Sequence, residues 1–353
     1  MINSSLLFVD KSSISKLNNI TIEHSIFINT LGYISESNSI ITEIMSDIIN
    51  ESYLAEDSKG IFNNKFSFEK IVKKLFELFK NIIMKIWKLF KGEVAKIFGN
   101  DATIEKYSGR LRNYLNTTKK HVIYDGIYYR YTYIDANIPP YKINEFFDND
   151  YSDLFESLKV VKNLKSKNEV LNELRKIKDS INKENYKYNI QQMIVGDKVG
   201  SVTLDNEDFA SLLFKIYRDG TGYQYDKETP INYLELLSIL DRNANTKYSD
   251  LIKKYEKENA SISDECNKTI NQIKKLSPEN IILNYVPDDQ DIRYALNNIC
   301  KSKIEQMQYA CNAISQAYAI KIEAVKESIL QDRKILLSAI AQMIRDDDNY
   351  KED

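Results

Sequence analysis

The stretch from Lys65 to Phe98, KFSFEKIVKKLFELFKNIIMKIWKLFKGEVAKIF, limits the fold of this chain more than any other. Its large apolar residues Phe68, Ile71, Val72, Leu75, Phe76, Phe79, Ile82, Ile83, Ile86, Trp87, Phe90, Val94 and Ile97 recur at three and four positions, which gathers them on one side of an α-helix. The opposite side is mostly lysine. Nine Lys against three Glu and no Asp give a formal charge of +6 (9 − 3) inside a chain whose total is −2. The lysines break every apolar run well before the roughly 18 residues that a membrane span needs, so this is not a simple spanning helix. Three destinations suit it. Lys stems cover apolar surface while their ammonium groups stay in water, so the stripe can pack against the protein itself or another subunit. The basic face and the single Trp87 also suit an anionic membrane surface. Nucleic acid and calmodulin-like partners are the third. The residues for such a contact are Lys73, Lys74, Phe76, Phe79, Lys80, Ile83, Lys85, Trp87, Lys88, Phe90 and Lys91.

The rest of the chain divides around this helix. Residues 1–64 read as an N-terminal helical segment in which Ile40, Ile41, Ile44, Met45, Ile48, Ile49 and Leu54 form a stripe that Ser37 or Asn38 can cap. The basic helix occupies 65–101, with a possible bend at Gly92 and a stop at Gly99-Asn100-Asp101. Residues 102–244 form a small α+β region that opens with a helix from Thr103 to about Leu115. HVIYDGIYYRYTYI, 121–134, predicts a β-hairpin turning at Asp125-Gly126, and MIVGDKVGSVTL, 193–204, predicts a second strand patch turning at Gly196 and Gly200. Val170, Leu174, Ile177 and Ile181 mark a helical stripe between them. Asp205 or Asn206 can cap a helix through Tyr217, and Thr229-Pro230 suits the start of another carrying Leu234, Leu236, Leu237 and Leu240.

From 245 to 345 the pattern is helical, cut by Pro278 and Pro287 into a helix of about thirty residues and a longer one starting at Asp288. In the latter, Ile304, Met307, Cys311, Ile314, Tyr318, Ile322, Val325, Ile329, Leu336, Ile340 and Met343 follow spacings of three, four or seven, a coiled-coil or long-hairpin seam. A helix that long packs along a partner helix or another subunit, so Ile304, Met307, Cys311, Ile314, Tyr318, Val325, Ile329, Leu336 and Ile340 are the expected self-association residues. Residues 346–353 read as a solvated acidic tail. The expected fold is mainly α with a small α+β middle region, one or two β-hairpins, and a C-terminal long helical hairpin or coiled coil.

The motifs of common chemistries are missing from the sequence. It contains no GxxxxGK phosphate loop, HExxH, GxSxG or GxGxxG, and only His24 and His121 are available to a histidine-based centre. Three cysteines without CxxC spacing argue against a disulfide framework or zinc site, and read as small buried hydrophobes. Asp288, Asp289 and Asp291 lack the glycine and distal Glu of a calcium loop and suit the negative start of a helix. No catalytic residue, metal, cofactor or small-molecule substrate is therefore expected. Met1 to Leu7 lacks a positive n-region, so secretion by a signal peptide is not expected either.

The order of elements carries a resemblance. FEKIVKKLFELFKNIIMKIWKLF, then IEKYSGRL, then an aromatic stretch closing on Asn137-Ile138-Pro139, then LLFKIYRDG and a long C-terminal helix, resembles a group of virion structural proteins of large tailed bacteriophages, of the head-internal or ejected kind. The resemblance runs from Phe66 to the end. It implies a non-enzymatic protein packaged in several copies, localised to the particle and to host cytoplasm during assembly, and delivered with the genome. Its implied partners are further copies of itself and other virion proteins, with anionic membrane or DNA phosphates contacting residues 65–98. Two other classes stand beside it: a membrane-active toxin or effector using the same basic helix, and a cellular helical scaffold or adaptor that keeps it buried.

Overall fold

A computed structural model of the chain describes residues 25–54, 68–99, 101–123, 128–129, 156–161, 163–217, 224–225, 230–275 and 289–349. The fold is mainly α. In chain order the elements are α1 (Ser25–Leu54), α2 (Phe68–Phe98), α3 (Asp101–Thr118), β1 (Val122–Ile123), β2 (Tyr128–Tyr129), α4 (Lys167–Ser180), α5 (Lys183–Val195), a 3-10 turn (Gly196–Val199), α6 (Asn206–Tyr217), β3 (Gln224–Tyr225), β4 (Pro230–Ile231), α7 (Tyr233–Asn245), α8 (Tyr248–Lys275) and α9 (Gln290–Asn349). Residues 156–161 are also helical. The chain forms two compact units, one from Met1–Lys85, Ile138–Ala210 and Glu258–Tyr318, the other from Ile86–Asn137, Ser211–Lys257 and Ala319–Asp353. Each draws on three separate stretches, so the division cuts across the consecutive segments expected from the sequence.

In the first unit, α1 begins at Ser25 and runs without a break through Ser37 and Asn38. Neither caps a helix. Both are buried, and Asn38 accepts hydrogen bonds from Gln308 Nε2 (2.7 Å) and Asn312 Nδ2 (3.1 Å) of α9. Helix α4 starts with a reciprocal cap. Glu169 N–H donates to Ser166 Oγ while Ser166 N–H donates to the Glu169 carboxylate, so two otherwise orphaned donors are satisfied. Its stripe Val170, Leu174 and Ile177 packs with Leu158 and Val161 against Ile292, Leu296 and Ile299 of α9. Asn182 caps α5 by accepting from the N–H groups of Glu184 and Asn185.

The strand patch expected at 193–204 is absent. Ile190, Ile194 and Val195 form the buried side of the last turns of α5. Gly196 (φ +66°) then ends the helix, a 3-10 turn follows, and Gly200 (φ +79°) reverses the chain again. Side chains of α5 satisfy the chain beyond the turn in place of a neighbouring strand. Tyr188 Oη donates to Gly200 O (2.9 Å); Gln191 donates to Leu204 O (2.8 Å) and accepts from Leu204 N–H (3.0 Å). The β-branched Ile194 and Val195 just before Gly196 carried the misleading strand signal, and their helical spacing with Ile190 prevailed.

In the second unit, Ile104, Leu111 and Leu115 of α3, Leu236, Ile239 and Leu240 of α7, and Ile335, Leu336, Ala339, Ile340 and Met343 of α9 enclose Val122 and Ile231. The strand residues predicted near 121–134 are extended where described, but they do not pair with each other. Val122 pairs with Ile231 and Ile123 with Pro230; Tyr128 pairs with Tyr225 and Tyr129 with Gln224, all antiparallel. Both short ladders share one register, because each pair of residue numbers sums to 353. The partner is a stretch about a hundred residues away, and the Asp125-Gly126 turn lies outside the described residues. Pro230 sits in β4, and α7 instead takes Asn232 as its cap, whose Oδ1 accepts from Glu235 N–H (2.9 Å). In the first unit, Asp205 caps the start of α6, its Oδ1 accepting from Asp208 N–H (2.8 Å).

The acidic end also departs from expectation. Helix α9 continues to Asn349, and Asp346 and Asp347 are tied to α3 rather than solvated as a tail: Lys120 Nζ (2.8 Å) and Tyr114 Oη donate to Asp346, and Arg110 donates to Asp347 (2.7 Å). Residues 350–353 lie outside the described residues.

Adjacent leucines of α9 give a direct check on this packing. Leu336 is fully buried while Leu337 is 37% exposed. Leu336→Ala is expected to cost about 2–5 kcal/mol and Leu337→Ala under about 1 kcal/mol, read as shifts in urea midpoint at constant slope.

Candidate functional site

Helix α2 separates its two chemistries cleanly. In the first unit Phe76, Phe79 and Ile83 are buried to 1% exposure or less, and in the second Trp87 (7%) and Phe90 (0%) are buried as well. Lys73, Lys74, Lys85, Lys88 and Lys91 are exposed and Lys80 is half-buried. The eleven expected contact residues therefore fall into two groups. The apolar five are consumed by the fold, five of the six lysines face outward, and Lys80 lies half-buried at the edge. The helix runs through Gly92 without interruption.

Named contacts hold each half. In the first unit, Lys85 lies 3.5 Å from Glu36 and over the Tyr33 ring at 4.3 Å, while Asn259 Nδ2 approaches Met84 Sδ at 3.1 Å. In the second, the Phe90 ring meets Tyr255 edge-on at 5.3 Å, Lys91 lies 3.7 Å from Glu256, and Phe98 meets Tyr248 edge-on at 5.5 Å. As α2 advances from 90 to 98, its partners in α8 retreat from 255 to 248, so the two helices run antiparallel there. Arg333 of α9 stacks over Phe98 at 4.0 Å. Lys73, Lys74 and Lys88 make no ion pair among the described residues.

The nine residues expected to associate copies of the chain are all buried within it: Ile304, Met307, Cys311, Ile314 and Tyr318 in the first unit, and Val325, Ile329, Leu336 and Ile340 in the second. The seam is filled by the chain's own side chains. Every residue from 306 to 327 is buried, so α9 packs on all sides there rather than along one stripe. That places polar groups inside. Gln191 of α5 donates to Tyr309 Oη (2.9 Å), and burial lifts the Tyr309 phenol to about 12 despite this bond. Lys326 bridges Glu323 and Glu327, the latter at 2.8 Å, with all three at 6% exposure or less. Burial alone would depress the Lys326 ammonium, but the two carboxylates outweigh it and hold the ammonium above its ordinary value. Arg242 of α7 forks onto Asp332 through Nε (3.1 Å) and Nη2 (3.0 Å). Burial still leaves that carboxyl above the usual range, with Arg242 offsetting part of the effect. These buried charges were missed in the sequence reading. The signal available was Glu323, Lys326 and Glu327 at helical spacing beside seam positions, a pattern that an exposed helix face shares.

Cys266, Cys300 and Cys311 are buried and form no disulfide among the described residues, and burial pushes the Cys266 thiol up to about 12, which keeps it unreactive at neutral pH. His121 is exposed and contributes its carbonyl to Gln342 Nε2 (3.2 Å); His24 lies outside the described residues. Among the described residues, no cluster of His, Cys, Asp and Glu has metal-ligand geometry and no helix is long and apolar enough to cross a membrane. The second unit has an open cleft of about 680 Å3 between α7 and α8. Two of its charged groups are already paired, Arg242 with Asp332 and Asp241 with Arg112. No known protein family, curated protein or solved structure matches the chain.

Two measurements probe the charged ties. Arg242→Ala leaves Asp332, itself 8% exposed, without its counter-ion, and is expected to cost about 3 kcal/mol in urea unfolding; Arg242→Leu with Asp332→Leu is expected to cost less. The Asp346 carboxyl is held below the usual range first by Lys120 and then by Tyr114. Its folded pKa is depressed, so its contribution is present above the unfolded carboxylate value and is lost as pH falls through the folded one. In an NMR titration of the carboxyl carbon, Lys120→Met is expected to move Asp346 upward.

Proposed function

We propose that this chain is a non-enzymatic structural protein of a tailed-phage particle, carried in several copies inside or on the particle among other virion proteins. The observation that carries the reading is the placement of α2. Its apolar half is spent on packing, so what the helix offers outward is positive charge. That suits a protein stored against an anionic surface and does not suit a helix already free to enter a bilayer. The order of elements that resembles head-internal and ejected virion proteins supports the same conclusion. Because the α9 seam is filled within the chain, copies meet through other surfaces. A toxin or effector that inserts α2 would first have to strip it from Tyr255 and Tyr248, and a cellular scaffold leaves the lysine face without a role.

Peptide mass spectrometry of purified phage particles from the source, before and after genome ejection, tests this. Detection in full particles with loss from emptied ones is expected for an ejected protein, and persistence in both for a fixed part of the shell or tail. Absence from both overturns the virion reading.

A further inference from the structure

The outer face of α2 in the first unit carries the exposed Lys73 and Lys74, with the half-buried Lys80 at its edge, and none of them makes an ion pair among the described residues. At 100° per residue, Lys73 and Lys80 lie within about 20° of one another, two turns or roughly 10 Å apart along the axis, with Lys74 flanking the first. Glu77, also exposed, is the one carboxylate between them in sequence. The apolar residues that would give such a helix its affinity for lipid, Phe76, Phe79 and Ile83, are 0–1% exposed on the other side. A contact made by this face is therefore purely electrostatic, and three ammonium groups on one rigid helix match a regular row of phosphates better than a fluid interface that rewards burial of apolar side chains. The lysines are point charges without the planar fork that reads base edges, so the contact carries no sequence preference.

We propose that Lys73, Lys74 and Lys80 form a contact surface for the phosphodiester backbone of duplex DNA. This goes beyond the particle reading and stands or falls separately, because it concerns the isolated protein. Glu77 opposes the contact and tunes it down.

The test uses the full chain and a fluorescein-labelled duplex of arbitrary sequence followed by anisotropy between about 50 and 200 mM salt. Three neutralised phosphates predict a slope of log affinity against log salt near −2.7, at about −0.9 each. Lys73→Gln with Lys74→Gln and Lys80→Gln is expected to weaken binding at least about tenfold and flatten the slope, and Glu77→Gln to strengthen binding. Circular dichroism and urea midpoints establish that each variant folds. Phosphatidylglycerol vesicles supply the other arm. The single tryptophan, Trp87, is 7% exposed and is expected to keep its emission maximum. Equal DNA binding by the triple variant, or no effect of Glu77→Gln, overturns the proposal. Binding to vesicles with a blue shift of Trp87 and none to DNA overturns it in favour of a lipid surface.

Discussion

Most of this fold depends on burying α9. A helix of 60 residues whose stretch from 306 to 327 is enclosed on every side cannot satisfy itself with apolar neighbours alone, since its sequence places Gln306, Gln308, Asn312, Gln316, Lys321, Glu323, Lys326 and Glu327 there. Removing such groups from water is costly unless they find partners. Several do: Asn38 reaches across to Gln308 and Asn312, and Lys326 bridges two glutamates of its own helix. Among the described residues the Oε1 atoms of Gln306 and Gln308 have no hydrogen-bond partner, each a local cost of about 1–3 kcal/mol. The core thus combines apolar packing with buried polar groups, several of them paired with one another.

Both ends of α9 are held as well. At its start, Asp289 accepts from the N–H groups of Asp291 and Ile292, and Lys167 of α4 reaches Asp289 (2.8 Å) and Asp291 (2.7 Å). At its end, Asp346 and Asp347 engage α3. These are exposed ties, individually worth little, but they oppose fraying where the helix leaves the core. The sign of the charges agrees with the backbone at the start, where carboxylates face free N–H groups, and opposes it at the end, so α3 must supply the cations there.

Long elements were legible in the sequence because periodicity accumulates over many residues. The α2 stripe, the 28-residue α8 and the reach of α9 follow from spacing and from the prolines at 278 and 287. Short elements were not. The residues of β1 and β2 announce extended structure, but their partners at 224–231 have no local signal, since pairing across a hundred residues is decided by the three helices that enclose Val122 and Ile231. At 193–204 the glycines were seen and their meaning inverted: positive φ ended a helix where a strand turn was expected. For the candidate site, spacing identified the apolar and lysine sides of α2, but whether the apolar side meets the chain itself or something else is a tertiary fact. Along α9 the spacing marked one seam, and the burial of the polar residues beside it from 306 to 327 is likewise a tertiary fact.

The order in which α2 and its cover lie along the chain has a consequence in time. Tyr248, which meets Phe98, is 150 residues (248 − 98) behind it, and Arg333, which stacks on the same ring, follows later still. At translation rates of about 5–20 residues per second, the apolar side of α2 leaves the ribosome roughly 8–30 s before the first of these partners exists. During that interval the part of α2 that meets Tyr248 and Arg333 lacks both of these partners. How long that apolar surface stays open to other contacts is thus set by the pace of synthesis, and the window closes once α8 is made and packed.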